Sequence, residues 1–234
     1  MIWTLSAVAT GVLAEGPAGS LIEEQPRTSE VAETKKPEVA EWRYGGFVDL
    51  GYSVNFNFPA NHLFRNRSTT PRVNELDLNM GAMYVRKDAS DQSRWGMEFM
   101  AQGGQDAKEF GFGVNLPRAQ GSDALRHFAR ANVSYLAPVG NGLALQAGLF
   151  NSLIGYESLY AKDNFNYTRA WIADYSPYLM FGVNAAYSYN DKWTGTLFII
   201  TEYFHLQNSN SIPSYGAQAA YKPSAPWTVK ETIY

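Results

Sequence analysis

The chain has 234 residues, of which 15% are aromatic and 20 are glycine, with no cysteine and a formal net charge of −3. Without cysteine there is no disulfide framework and no thiolate metal site, and a nearly balanced charge gives no electrostatic footprint for nucleic acid. No run reaches the roughly 20 apolar residues that a membrane-spanning helix needs, so entry into a membrane would have to be by strands.

Residues 1–14 have the short apolar core of a signal peptide and end in Val12-Leu13-Ala14, but they lack a basic leading segment, which suggests a truncated start. An ordinary N-terminal strand or helix is the competing reading. Residues 15–40 carry Pro17, Pro26 and Pro37 among six glutamates and almost no large apolar side chain. Such a composition cannot bury a core, and the segment is expected to be a disordered periplasmic linker.

From residue 41 to the end one pattern prevails. Between Trp42 and Phe58 every even position except Gly46 is apolar, while Arg43, Asp49, Ser53, Asn55 and Asn57 occupy odd positions. Period-two alternation marks a strand with one greasy and one wet face, and the run is long enough for a tilted membrane strand of about 9 to 11 residues. A second strand sets Leu76, Leu78, Met80, Ala82 and Tyr84 against Glu75, Asp77 and Asn79, and a third sets Trp95, Met97, Phe99 and Ala101 against Arg94, Glu98 and Gln102. Six more are expected near Leu125 to Ala137, Leu143 to Phe150, Tyr178 to Tyr189, Trp193 to Tyr203, Ser214 to Tyr221 and Trp227 to Tyr234.

Short connections rich in Asp, Asn, Gly and Pro alternate with long ones, as in outer-membrane barrels with tight periplasmic turns and long outer loops. Trp42, Trp95, Trp193 and Trp227 open alternate strands, and Tyr84, Tyr135, Tyr189 and Tyr221 lie near the ends of the others. All eight fall in the apolar phase and meet at one rim, which is the placement of an interfacial aromatic girdle. The expected fold is therefore all-β, a transmembrane antiparallel up-and-down β-barrel. Bacterial single-chain barrels have an even strand count, so nine strands imply an N-terminal part, incomplete at the C-terminus.

Charges in the wet phase, namely Arg43, Asp49, Glu75, Asp77, Arg94, Glu98, Arg126, Arg130, Glu202 and Lys230, are expected on the concave side. They would either line a pore or pair across neighbouring strands to stiffen its wall. Trp95, Phe99, Leu145, Leu197 and Ile199 belong on the convex side.

Several phrases resemble the OmpL-like β-barrel porin family over Trp42 to Tyr234. They are Gly46-Phe47-Val48-Asp49 through Asn55-Phe56-Asn57-Phe58-Pro59, then Gly148-Leu149-Phe150, Gly155-Tyr156-Glu157 and Asn164-Phe165-Asn166-Tyr167-Thr168-Arg169. Thr168 stands where the family more often has Ser, and Met180-Phe181 where it has a His-Thr pair. The resemblance implies a pore-forming outer-membrane protein with no established enzymatic activity and no assigned catalytic residue; outer-membrane lipid and small hydrophilic solutes are the expected partners, and no metal or cofactor is expected. A narrow, non-conducting barrel serving surface adhesion or anchoring is the alternative.

The three histidines, His62, His127 and His205, fall in loops or at a strand's outer end, and none has a nucleophile beside it in the pattern. Calcium held by Asp106 and Glu109 lacks any EF-hand-like spacing. Residues 151–176 form the longest connection and mix Glu157, Lys162, Asp163, Arg169 and Asp174 with aromatic side chains. This loop is expected to fold inward and narrow the pore, with Glu157 and Arg169 placing opposite charges towards the opening.

Overall fold

A computed structural model describes residues 3–5, 42–64, 67–109, 126–203, 211–224 and 227–234. The expected linker, most of the expected signal segment and His205 lie outside the described residues. The strands are β1 (Trp3–Leu5), β2 (Trp42–Val54), β3 (Leu76–Lys87), β4 (Trp95–Gly103), β5 (Phe128–Ala137), β6 (Leu143–Asn151), β7 (Leu179–Ser188), β8 (Trp193–Ile200), β9 (Ser214–Ser224) and β10 (Trp227–Ile233). Each pairs antiparallel with its sequence neighbours in a single sheet, β1 to β10 in order, with β1 and β10 as its unjoined edges. β1 is a short addition to the nine expected strands and pairs with Tyr52–Val54 of β2.

Alternation divides this sheet into two faces. In β2, Trp42, Tyr44, Val48, Leu50 and Tyr52 are exposed, while Phe47, Asp49, Gly51 and Ser53 are buried. The exposed set continues on an outer face as Trp95, Met97, Phe99, Leu145, Val183, Leu197 and Ile199, joined strand to strand by register. The opposite, inner face carries Asp49, Glu98, Arg130, Asn184, Thr196 and Gln218, with a long connection packed upon it. A face this apolar is costly against water and is satisfied by hydrocarbon.

Register shifts interrupt the ladder between β2 and β3, between β4 and β5 and between β9 and β10, and the first redirects the inner face. Between β2 and β3, Asp49 pairs with Met80 but Leu50 pairs with Leu78, so Asn79 is an extra residue. A β-bulge of this kind moves everything beyond it to the opposite face. Leu76 and Leu78 point outward, whereas Met80, Ala82 and Tyr84 point inward and Met83 takes the outer face. Tyr84 therefore lies against the inner cluster, packed over Gly45, and is not part of an outer girdle.

Two strands end earlier than alternation alone implies. At Asn55 the backbone leaves the ladder: Asn57 N–H donates to Asn55 Oδ1 (3.0 Å), and Phe58 N–H donates to the Asn55 carbonyl (3.0 Å). Asn74 grips Asn55 from across the loop, accepting from its N–H at 2.8 Å and donating to its carbonyl at 2.9 Å. The Asn-Phe-Asn phrase is thus a turn, since Asn side chains offer the backbone a local alternative to pairing. β8 stops at Ile200, which leaves Glu202 in the following connection. Among the described residues, 88–94, 138–142 and 189–192 form short connections at one end of the strands, and 55–64, 67–75, 104–109, 126–127, 152–178, 201–203 and 211–213 belong to the long connections at the other.

Candidate functional site

The 152–178 connection is closed at its base by Ser152 N–H donating to the Tyr178 carbonyl (3.0 Å). Leu153 and Ile154 then settle on an inner-face patch of Phe150, Met180, Phe198 and Ile200. The Leu153 carbonyl accepts from Gln218 Nε2 of β9 (2.6 Å) and from Thr232 Oγ1 of β10 (3.0 Å).

Further along, Asn164 ties the chain into a knuckle around the 3-10 turn Ala161–Asp163, accepting from Ser158 N–H (2.8 Å) and donating to the carbonyls of Ser158 (2.8 Å) and Tyr160 (3.1 Å). This knuckle presents Tyr160 to the wall. Its ring meets Phe47 edge-on at 5.2 Å, and its hydroxyl donates to Gln102 Oε1 at 2.9 Å. Burial there holds the Tyr160 phenol above its ordinary pKa. Tyr167 reaches β2, donating to Asp49 Oδ1 (2.8 Å) while accepting from Asn79 Nδ2. Gly51 makes this approach possible, because a Cβ there would lie 2.6 Å from Asn79 Nδ2 and collide with the Tyr167 hydroxyl.

Arg169 lies deepest. Its guanidinium is 2.9 Å from Asp106 Oδ2, with both side chains at 0% exposure, and it donates to Thr70 Oγ1 (3.0 Å). Asp106, at the start of the short helix α1 (Gln105–Glu109), also accepts from Thr70 N–H at 2.7 Å. Burial pushes the Asp106 carboxyl up to about 6, and the attraction of Arg169 and the Thr70 N–H offset only part of that. Asp174, in the 3-10 turn Trp171–Tyr175, accepts from Thr69 Oγ1 (3.0 Å) and Ser68 N–H (3.2 Å), and Arg67 donates to the Arg169 carbonyl (2.6 Å). Three long connections are thereby knitted together.

This geometry corrects the expected opposition of Glu157 and Arg169. Arg169 is a buried anchor and does not face an opening. Half-exposed Glu157 accepts from Ala170 N–H at 2.7 Å, and Asp163 pairs with Lys162 at 2.6 Å. Asp106, expected as a solvated loop charge or a calcium ligand beside Glu109, is instead bound by Arg169 and Thr70.

On the wall itself, Arg43 stands opposite Arg86, and Arg86 opposite Glu98, which pairs with Arg130 at 2.9 Å. Arg43 also pairs with Asp88 in the first short turn, and Arg94 lies 3.4 Å from Asp91 and donates to the Leu136 carbonyl (3.1 Å). Asp77 faces Gly51, Lys230 faces Ala220, and Glu75, just before β3, pairs with Arg72. Arg126 is half-buried in the turn before β5, its carbonyl accepting from Gln102 Nε2 (3.0 Å). Among the histidines, His62 Nδ1 contacts the Val73 carbonyl (3.1 Å) and His127 Nδ1 the Gln102 carbonyl (3.3 Å).

Pattern reading missed two sets of inner residues. Arg86 was hidden by the bulge, although its own position was a signal: extending the phase of Leu76 to Tyr84 would place a guanidinium on the greasy face. Neutral side chains were overlooked because charge drew the eye. Asn184 Nδ2 donates to Gln146 Oε1 (2.9 Å), Gln146 Nε2 to Asn132 Oδ1 (3.0 Å), and Gln218 Nε2 to Thr232 Oγ1 (3.0 Å). Together they form a hydrogen-bonded amide lining.

On the outer face Trp95 meets Tyr135 at 4.7 Å, Trp193 stacks on Tyr221 at 4.4 Å, and Tyr189 packs edge-on to Tyr187 at 5.0 Å. Trp42 and Trp227 are exposed at the starts of their strands. All lie near the short connections.

The family model described as "Putative beta-barrel porin-2, OmpL-like" matches residues 42–234. No curated protein and no solved structure matches the chain.

Proposed function

Because this chain belongs to the OmpL-like β-barrel porin family, we propose that it forms an outer-membrane channel for passive diffusion of small hydrophilic solutes, narrowed by the 152–178 connection. The observation that carries this reading is the contrast between the two faces: an amide-and-charge lining inside and an aliphatic and aromatic surface outside. Polar side chains ranked along a wall offer hydrogen bonds to water and to hydrated solutes, while lipid takes the outer face. The short turns would lie on the periplasmic side together with the N-terminal linker, and the long connections outside.

Current through planar bilayers tests the channel directly. The full-length protein should give steady steps of conductance, and deletion of residues 152–178 should enlarge them by removing the obstruction. Equal conductance with and without the segment would place it outside the conduction path. One observation favours a second reading, a filled barrel used for adhesion or anchoring: the inner patch of Phe150, Met180, Phe198 and Ile200 under Leu153 and Ile154 is dry. A filled barrel gives no steady current in either form.

A further inference from the structure

The bridge between Leu63 and Arg72, with Phe64 N–H donating to the Pro71 carbonyl (2.7 Å), draws the two ends of a short segment of the first long connection together. Phe64 and Arg67 belong to this segment. Against them lies Trp171, from the 3-10 turn of the 152–178 connection. The Phe64 and Trp171 rings meet at 6.4 Å and 60°, and the Arg67 guanidinium carbon is 5.9 Å from the first ring centre and 5.4 Å from the second. Trp171 keeps half of its surface exposed.

One guanidinium N–H goes to the Arg169 carbonyl (2.6 Å). The remaining N–H groups have no protein partner among the described residues and reach solvent. Asp174, which holds the adjoining Ser68 and Thr69, accepts from their N–H and hydroxyl and from the Tyr178 hydroxyl (3.4 Å), and makes no ion pair with Arg67. Fastening two connections together does not require this residue. A lysine would supply both a donor to the carbonyl and a positive charge over the rings. What a guanidinium adds is a planar fork that takes a carboxylate through two parallel N–H bonds, set here beside a ring on which a flat ligand can stack.

We propose that Arg67 and Trp171 form a binding site for a small organic anion carried on a ring, an aromatic carboxylate in the simplest case. The carboxylate would meet the open edge of the guanidinium while the ligand ring covers the exposed part of Trp171. As a station on a solute's path, at the mouth formed by the long connections, the site rests on the channel reading; as a binding site it does not.

Saturation-transfer NMR on the full-length protein in detergent tests the site, with benzoate as probe, its neutral isostere benzamide as the ring alone and acetate as the charge alone. Saturable binding of benzoate is expected, with both controls at least about tenfold weaker. Arg67→Lys keeps the charge and a donor for the Arg169 carbonyl but loses the fork, and should weaken benzoate about tenfold, as befits one charge-assisted hydrogen bond. Should that variant fail to fold, Trp171→Leu leaves the Arg67 contact to Arg169 in place and should bring benzoate down to the level of acetate. Lys192→Gln, in an exposed short turn, should bind like the parent. The proposal is overturned if the parent shows no saturable benzoate binding, if benzamide or acetate binds equally well, or if Arg67→Lys or Trp171→Leu leaves affinity unchanged. Benzoate binding by a protein that passes no current would remove the channel and keep the site, whereas current without benzoate binding would do the reverse.

Discussion

Arg169 and Asp106 show what a pair of residues contributes to this chain. Both are removed from water, so truncating one strands the other as a buried charge. Arg169→Ala is expected to cost about 3–5 kcal/mol, measured as a lowered urea midpoint for the protein folded into lipid vesicles. Replacing both by apolar side chains of similar volume, Arg169→Met with Asp106→Leu, should recover most of that loss. The same carboxyl makes stability depend on pH. Its folded pKa of about 6 lies above the ordinary 3.8, so the native state holds the proton more tightly than the unfolded chain. That contribution is fully present below about pH 4 and is lost as pH rises through about 6. Urea midpoints should therefore climb between pH 6 and pH 4, and Asp106→Asn should flatten that rise. Little of this was legible in the sequence: Arg169 sits in a motif that resembles a family, but its partner lies in a segment with no periodicity, and long-range pairing leaves no trace in a spacing rule.

At the level of elements, β3 and the loop it supports depend on one small residue. Gly51→Ala would drive a methyl group into Tyr167 and Asn79, costing about 1–3 kcal/mol in overpacking and lifting the loop from β2. Faster proteolysis within residues 152–178 is the expected readout, together with a changed conductance. Gly81→Ala, on the neighbouring strand, is the control, because its nearest atom would be 3.9 Å away; cleavage at the parent rate is expected there. Strands themselves were readable, since alternation follows from the pleat and a buried face must be apolar or paired. The bulge was not, because apolar residues at Met80, Ala82 and Tyr84 suit either lipid or a packed inner cluster. Only Arg86, a charge at the end of the run, distinguished the two.

For the molecule as a whole the outer face is the decisive surface. Leu197, halfway along β8 and 66% exposed, should meet hydrocarbon, and Leu197→Arg is expected to cost about 2–4 kcal/mol at midplane depth. Unfolding titrations in vesicles would register that loss, while a change below about 0.5 kcal/mol, ordinary for a water-facing substitution, would argue against lipid contact. The alternation of short and long connections and the placing of Trp and Tyr at strand ends were legible in the sequence, because neither pattern depends on particular partners. The inward loop was anticipated from its length and residue mix, but the contacts that seat it were not. Those contacts reach opposite flanks of the sheet: Leu153 holds β9 and β10, and Tyr167 holds β2. The loop thus acts as a strut spanning an arch. Neighbouring strands fix only their own local twist, so the gap between far flanks is metered by the strut, and its seating has to follow the arrival of both. A chain whose last strands were slow to arrive would wait with its strut unseated and its arch unbraced.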